Sequence, residues 1–471
     1  MVDSPEAALP PPPIVASHLS APLSVPPNRP PARFTQGSTM RHVITMTGAG
    51  SLGLMAVFVV ELLTLLYVSR LGDTELTAGI GYASLLMFMS ISVNVGMMIA
   101  IGALVSRAIG AGRQEDARRL SGSILMLMVI ISLAVVATLL IFAPIILAAV
   151  GAKGKALDTA LLYLSIALPA NVLMALGMGF SGVLRALGDA KRSMSVTLIG
   201  AIVTAILDPI LIYWLDLGVV GAALGLIASR LTFAVIGYNG AVRVHNMVAK
   251  PTLAALKQDG RLALSIAVPA ILTNLATPIS GLFVLRLLEP YGPPAIAANA
   301  IIDRLVPVAF GVCFALSGAV GPILGQNWGA KLYPRMRQTL IDSFVFTIGY
   351  VLFAWALLAL GRNWIIWLFG VTGDAADYVG LFCLISGLMW MFNGFLFVAN
   401  AAFNNLGYPL QSTLFNWGKA TIGTLPFAFI GSQYYGVFGA YLGITFGAMI
   451  FGIWAAWSSL TLLKKLEASK G

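Results

Sequence analysis

Long apolar stretches recur along the chain from residue 43 onward, and they constrain its fold more than any other feature. A helix that spans a bilayer needs about 20 consecutive, mostly apolar residues, and each stretch reaches that length. Strands of a transmembrane barrel would alternate over segments of about 10 residues, and these stretches do not alternate. The sequence therefore predicts an all-α membrane protein with twelve transmembrane helices. They are expected near residues 44–68, 78–105, 121–150, 159–184, 193–215, 217–242, 261–288, 295–321, 338–360, 377–403, 411–431 and 435–463.

The composition excludes an ordinary soluble domain. Hydrophobic residues make up 59% of the chain and charged residues only 10%. Soluble domains carry about 25% charged residues, and a soluble fold with this composition would expose large apolar patches to water. The two cysteines, Cys313 and Cys383, both lie within apolar stretches, so we expect no disulfide framework.

The distribution of the positive charges predicts the orientation. If the chain crosses the membrane twelve times, its two ends and its even-numbered loops share one side. That side carries 20 of the 28 Lys and Arg residues, whereas the odd-numbered loops carry five. Basic residues concentrate in cytoplasmic loops, which predicts a multi-pass protein of the plasma (inner) membrane with both termini in the cytoplasm. The net charge of +10 then reflects topology, and we expect no nucleic-acid partner.

The two halves of the chain resemble each other. The segment Gly218–Gly225 recurs as Gly436–Gly443, with six of eight residues identical. The other matches, all 216 to 219 residues apart, are Gly102-Ala103 with Gly318-Ala319, Gly151 with Gly370, Asp158 with Asp377, and Leu187-Gly188 with Leu406-Gly407. Matches at nearly one spacing indicate an internal repeat.

The repeat predicts the domain organisation. Each half would contain six helices, an even number, so the two bundles run parallel and are related by a pseudo-twofold axis along the membrane normal. Secondary transporters that alternate between two open states are typically built in this way. We predict a disordered Pro-rich cytoplasmic tail (1–42), an N-terminal bundle (43–242), a cytoplasmic connector (243–260), a C-terminal bundle (261–463) and a short cytoplasmic tail (464–471).

The sequence lacks the motifs of a nucleotide-driven pump or an enzyme. It contains no GxxxxGK[ST] segment for binding nucleotide phosphates. Its three histidines, His18, His42 and His245, fall at predicted helix ends or connectors, so no predicted helix interior carries a His–carboxylate metal site. We therefore expect a protein that is not an enzyme, needs no metal or other cofactor, and draws on a proton or sodium gradient.

Six charged residues are predicted at membrane depth, away from the ends of the predicted helices. Charges at membrane depth are costly, so each is a candidate functional residue. They are Glu61, Arg230, Asp208, Asp303, Arg304 and Lys419.

Two of the acids are predicted to lie at similar depth in the N-terminal half. Glu61 is in the first helix and Asp208 in the fifth, with Thr64 and Thr204 one turn away from them. Carboxyl groups removed from water and close together hold a proton more tightly, so such a pair can load a proton on one side and release it on the other. We predict a cation- or proton-coupling site that also includes Asn171. Alternatively, Asp208 only pairs with a neighbour, and the Thr and Asn side chains only bond to adjacent helices.

The other charged residues are candidates for the substrate cleft or for gating. Asp303 and Arg304 are adjacent, and neighbours on a helix point about 100° apart, so they do not simply neutralise each other. Each is expected to line the central cleft or to pair across it. Lys419 is predicted to be a substrate-side or gating charge.

Four short motifs carry a resemblance to a known family. They are Ser106-Arg107 followed by Gly110-Ala111-Gly112, the segment Leu184-Arg185-Ala186-Leu187-Gly188-Asp189, the segment Leu207-Asp208-Pro209-Ile210-Leu211-Ile212, and the segment Gly325-Gln326-Asn327-Trp328-Gly329-Ala330. In this order, within two six-helix repeats, they resemble the multidrug and toxic compound extrusion (MATE) family over nearly all of residues 43–463.

The resemblance implies a fold and a function. It implies two six-helix bundles arranged in a V, and a secondary active exporter that antiports organic cations or other amphipathic compounds against protons or sodium. Asp208 matches the family's acid in the fifth helix. Thr64 occupies the position of the family's first-helix acid, and Glu61 lies one turn earlier. Other members carry acids at positions that match Thr277 and Asn393, so the resemblance favours a proton site in the N-terminal half. Asn393 is then expected to be a residue of the substrate cleft or of gating.

A lipid or lipid-linked oligosaccharide flippase of a related fold is the alternative function. A flippase that holds pyrophosphate should carry more basic residues in its central cavity than Arg230, Arg304 and Lys419. The exporter is therefore favoured. Its expected partners are small-molecule substrates and the lipid bilayer, and we expect a monomer.

Overall fold

The computed structural model describes residues 32–71 and 73–468, and these are almost entirely helical. The α-helices are α1 (Thr39–Ser69), α2 (Thr74–Gly110), α3 (Gln114–Ala149), α4 (Gly154–Ala167), α5 (Asn171–Leu187), α6 (Ala190–Pro209), α7 (Gly218–Tyr238), α8 (Leu253–Leu288), α9 (Gly292–Gly329), α10 (Tyr333–Phe369), α11 (Asp374–Leu406), α12 (Pro409–Gly418) and α13 (Leu425–Ala468). The prediction of an all-α chain is confirmed.

Within the described residues, ten helical stretches are long and apolar enough to cross a membrane. Two of them are far longer than one crossing needs: Leu253–Gly329 has 77 residues and Pro409–Ala468 has 60. The first is interrupted at Gly292 (φ 79°) between α8 and α9. The second contains non-helical backbone at Tyr435 and Gly436, which divides α13 into two helical parts.

The internal repeat has a backbone basis. Three glycine pairs that match between the halves all adopt positive φ, which a residue with a side chain rarely adopts. The pairs are Gly151 and Gly370 (φ 103° and 63°), Gly188 and Gly407 (82° and 91°), and Gly218 and Gly436 (50° and 59°). Each glycine ends one helix or begins the next, so the two halves reverse direction at equivalent positions.

The two halves contact each other through their first two helices. Helix α1 packs against α6 of its own half and against α9, and α2 packs against α5 and also against α8 and α9. Small residues permit the close approach: a Cβ added at Gly110 would overlap the Gln326 backbone, and one at Gly329 would overlap the Arg107 backbone. The ends of α2 and α9 are therefore in backbone contact.

Residues 32–38 bind at this same end of the molecule. We call it the arginine-rich end, because Arg107, Arg185, Arg192 and Arg335 lie there. The predicted tail was expected to be disordered up to residue 42, but α1 already begins at Thr39. Phe34 is 1% exposed; its N–H donates to Gln326 Oε1 (2.8 Å), and Arg335 donates to its carbonyl (3.0 Å). Gln326 Nε2 in turn donates to the Ala186 carbonyl at the end of α5 (2.7 Å). Residues 1–31 of the predicted tail lie outside the described residues.

An ion-pair cluster fixes the start of α6 at the arginine-rich end. Asp189 precedes α6, accepts from the Arg192 N–H (3.1 Å), and also accepts from His245 Nε2 (2.9 Å). Partial burial by itself raises the pKa of the Asp189 carboxyl, but the hydrogen bonds from His245 and Arg192 outweigh it, so the pKa lies below its ordinary value. The carboxylate form therefore joins the helix start to the segment after α7.

Candidate ion-coupling site

Asp208 lies at the junction of three helices in the N-terminal half. It is fully buried near the end of α6, immediately before a π-helical segment, Ile210–Trp214. Its Oδ2 accepts a hydrogen bond from the Thr64 hydroxyl of α1. Its Oδ1 has no hydrogen-bond partner within the described part of the chain. A buried carboxylate oxygen without a donor is costly, so the site is suited to take up a proton or a cation.

Gly225 of α7 forms the third wall of this site. A Cβ added there would overlap Asp208 Oδ1. The absence of a side chain at position 225 therefore allows α7 to pack directly against the carboxylate. In the sequence, Gly225 stands out only as part of the internal repeat, because its contact with Asp208 depends on how α6 and α7 pack.

Replacing Gly225 by alanine should displace the Asp208 carboxylate. We expect the overpacking to destabilise the protein by about 1–3 kcal/mol and to lower its thermal unfolding midpoint in detergent. Gly48→Ala is the matched control, because a Cβ at Gly48 would meet nothing within 4 Å. An equal midpoint for the two variants would show that Gly225 does not support the carboxylate.

Glu61 belongs to the same polar region but does not bond to Asp208. Its side chain is exposed in the absence of lipid, and Arg230 is the positive charge that acts on it. The charges of Glu61, Asp208 and Arg230 all act on the buried phenol of Tyr163. Both acids thus act on Tyr163, and their joint role in ion coupling stays a prediction.

Asn171 and Thr204 have partners other than Asp208. Arg230 Nη1 donates to Asn171 Oδ1 and to the Ala167 carbonyl (3.4 Å), which the break between α4 and α5 leaves available. Thr204 is buried, and its hydroxyl donates to the Gly200 carbonyl (3.2 Å). The structure thus brings together Asp208 and Thr64, and separately Asn171 and Arg230.

In the C-terminal half, two of the four candidates contact each other. Lys419 Nζ donates to Asn393 Oδ1 at 2.7 Å. Asp303 is exposed and accepts from Asn299 of its own helix (3.1 Å), and Arg304 is also exposed. Within residues 32–71 and 73–468, none of the ion pairs involves Asp303, Arg304 or Lys419.

Arg107 is a residue whose importance the sequence analysis missed. It is 2% exposed at the end of α2, and it donates to the Asn405 carbonyl (2.9 Å) and the Asn404 carbonyl (3.2 Å) at the end of α11. The guanidinium therefore joins the two halves at the arginine-rich end. A cavity of about 50 Å³ adjoins this contact, lined by residues of α2, α5, α9 and α11 that include Arg185 and Ser317. The Ser106-Arg107 motif is the signal for this contact in the sequence, but a motif alone does not show that the guanidinium reaches the other half.

Among the described residues, the structure has no group of three or more His, Cys, Asp or Glu side chains that could hold a metal ion. The charged residues at membrane depth are instead carboxylates, one ammonium and two guanidinium groups. Asp208, Arg230, Asp303 and Lys419 have hydroxyl or amide partners. Such groups can bind and release protons or charged solutes.

An all-helical chain with membrane-length stretches, a backbone repeat and charged groups between its helices is a multi-pass membrane protein of the transporter class. The sequence profile of the MatE family matches residues 51–210 and 269–430. The chain belongs to this family of MATE transporters, which confirms the predicted resemblance. The second match begins 218 residues after the first, the same spacing as that of the sequence repeat.

Relatives and solved structures extend the comparison. A FAD transporter of Shewanella oneidensis is 25% identical over 423 residues, covering 88% of this chain and 92% of the relative. The multidrug export protein MepA of Staphylococcus aureus is 26% identical over 398 residues, covering 82% and 86%. The Vibrio cholerae MATE transporter VcmN, solved as a mutant, has a TM-score of 0.85 at 24% identity, covering 92% of this chain and 98% of that chain. A MATE transporter in an outward-facing conformation has a TM-score of 0.86 at 21% identity, with the same coverage.

Proposed function

We propose that the chain is a secondary active exporter that antiports organic cations or amphipathic compounds against protons by alternating access. The single observation that carries this proposal is the buried Asp208 carboxylate, bonded to Thr64 and with Oδ1 unpartnered within the described residues. Membership of the MATE family and the similarity to multidrug export proteins support it. The coupling ion would be the only cofactor.

Twelve crossings in two six-helix bundles are part of the proposal. At about 1.5 Å per residue, a 77-residue helical stretch is several times longer than the ~30 Å hydrocarbon core, so Leu253–Gly329 would cross twice. The same reasoning divides Pro409–Ala468 at Gly436. The proposed bundles are those predicted from the sequence, 43–242 and 261–463, and they would form a V.

The orientation follows from the charges. The positive-inside rule assigns the arginine-rich end to the cytoplasm, with both termini on that side of the plasma (inner) membrane. The Arg107 and Phe34 contacts then close the cytoplasmic side, and the cleft would open outward. A monomer suffices for this arrangement, because both halves belong to one chain.

A proton suits the site better than sodium. Hard metal cations are held by several oxygen ligands. Asp208 is bonded to the hydroxyl of Thr64, whereas the Thr204 hydroxyl is bonded to a backbone carbonyl. The site therefore offers fewer oxygen ligands than a sodium ion would need. Glu61, nearby, would be a second proton acceptor that substitutes for the first-helix acid of the family. Protonation and substrate binding would exclude each other, which gives antiport.

Transport in proteoliposomes tests this proposal. An imposed proton gradient should drive movement of a cationic dye such as ethidium, and a sodium gradient of the same size should not. A flippase would instead move a fluorescent lipid without either gradient. If neither gradient moves the dye, exporter function is rejected.

A further inference from the structure

A series of polar contacts inside the C-terminal half joins α11 to α12 and to the π-helical segment that follows α12. The two helices are antiparallel neighbours, so residues spaced along one meet residues spaced along the other. The pairs are Ser412 with Asn404 (3.3 Å), Asn416 with Asn400 (2.9 Å) and Lys419 with Asn393 (2.7 Å). We call this series the polar ladder.

The first two pairs of the polar ladder have their hydrogen-bond partners within the protein itself. Ser412 and Asn416 are buried, and Asn416 Nδ2 also donates to the Ser412 carbonyl (2.7 Å). Ser412 Oγ also donates to the Asn400 carbonyl (3.3 Å). Buried amides and hydroxyls with such partners join helices and need no ligand.

Lys419, at the far end of the polar ladder, is different. An ammonium has three donors, and the structure assigns one of them, to Asn393. Asn393 uses its own Nδ2 on the Met389 carbonyl (3.0 Å), so its oxygen is oriented toward the lysine. No carboxylate among the described residues forms an ion pair with Lys419. Among the described residues, this partly buried ammonium thus has one hydrogen-bond partner and no partner of negative charge, which is a costly arrangement at membrane depth.

The location of Lys419 also points to a ligand. It lies ten residues into the helical stretch that begins at Pro409, which at about 1.5 Å per residue is about halfway through the ~30 Å core. It begins a π-helical segment, Lys419–Gly423, and such segments occur frequently at functional sites. The charges at membrane depth are Glu61, Asp208 and Arg230 in the N-terminal half and Asp303, Arg304 and Lys419 in the C-terminal half, so their formal sums are −1 and +1.

We propose that Lys419, oriented by Asn393, is a subsite for the carboxylate or phosphate group of a transported compound. This inference rests on the proposed export function, and it adds to the organic cations a second class of substrate, zwitterions and organic anions with a cationic or aromatic part. Ammonium groups bind carboxylates and phosphates through short, charge-assisted hydrogen bonds. Lipid headgroups carry phosphate too, so the test must separate the two sources.

Two dyes that differ in one group provide the test. Tetramethylrhodamine carries a free carboxylate, and its methyl ester does not. Binding of each to the purified protein is measured by fluorescence anisotropy. We expect the Lys419→Gln variant to bind the free acid at least tenfold more weakly than wild type and the ester within twofold of it. Lys419→Arg should retain the preference for the acid, and Lys464→Gln, at an exposed site far along α13, is the control.

The outcomes separate this proposal from the export proposal. Equal losses for both dyes, or no loss for either, would overturn the subsite. Binding that shows the expected preference without gradient-driven transport would reject export and leave the subsite standing. If Lys419→Gln does not insert, Asn393→Ala should weaken the same preference, and an unchanged preference would count against the proposal. If phosphatidylglycerol, added to phosphatidylcholine nanodiscs, abolishes the preference, the lysine holds a lipid phosphate, and the substrate assignment is rejected.

Discussion

Asp208→Asn should reduce gradient-driven export to the level of protein-free liposomes while the protein still inserts and purifies normally. Asparagine has nearly the same shape as aspartate, and its carbonyl can still accept from Thr64, so the packing of α1, α6 and α7 is retained. What it loses is the ability to take up and release a proton. Without that step, the proton gradient cannot be exchanged for movement of the substrate.

Asp342→Asn is the matched control for this substitution. Asp342 is also a buried aspartate, and it also accepts from a threonine hydroxyl of α1, that of Thr39. A second donor, Gln338, bonds to its other oxygen (2.7 Å), so Asp342 lacks the unpartnered oxygen that distinguishes Asp208. We expect transport by Asp342→Asn to stay within a few-fold of wild type. Wild-type transport by Asp208→Asn, or equal loss in both variants, would contradict the assigned role.

The comparison of Thr64 with Thr204 shows what the sequence could and could not predict. Both lie one turn from an acid, and the sequence treats them alike. Hydroxyls within a helix commonly bond to the carbonyl four residues earlier, and Thr204 does only this. Thr64 makes the same kind of bond with Val60 (3.0 Å) but also faces α6, where Asp208 lies. The difference depends on the rotation of α1 against α6, which no local pattern in the sequence encodes.

The helices themselves were more predictable than their contacts. Apolar length identified the membrane-length stretches, and the spacing of glycines identified the repeat, because both are properties of the local chain. The pairing of Lys419 with Asn393 depends on the register of the helices that carry them. The sequence identifies both residues as candidates but does not show that they pair. Likewise, nothing in the Pro-rich segment marked Phe34 as buried against Gln326. Such long-range contacts follow only from the assembled fold.

Arg107→Met should open the arginine-rich end of the molecule. The Arg107 guanidinium bonds across the halves to the last carbonyls of α11, where the helix dipole favours a positive charge. Hydrogen bonds to charged groups contribute about 1.5–3 kcal/mol each, so losing both should shift the equilibrium toward the open form by about a hundredfold or more. Closure would then depend on Phe34, Gln326 and the packing of α2 against α9.

A cysteine placed at Ser317, in the cavity beside Arg107, reports this change. The two native cysteines, Cys313 and Cys383, are buried and are replaced by alanine in all variants. A membrane-impermeant maleimide, applied from the arginine-rich side, should label position 317 much faster in Arg107→Met than in the parent. Arg113→Met is the control, because Arg113 forms an ion pair with Asp116 in the first turn of α3 (3.8 Å), within the same half. Equal labelling rates in both variants would mean that Arg107 does not hold the halves together. Faster labelling with loss of export would tie closure of this end to the transport cycle, because alternating access requires that both sides are never open together.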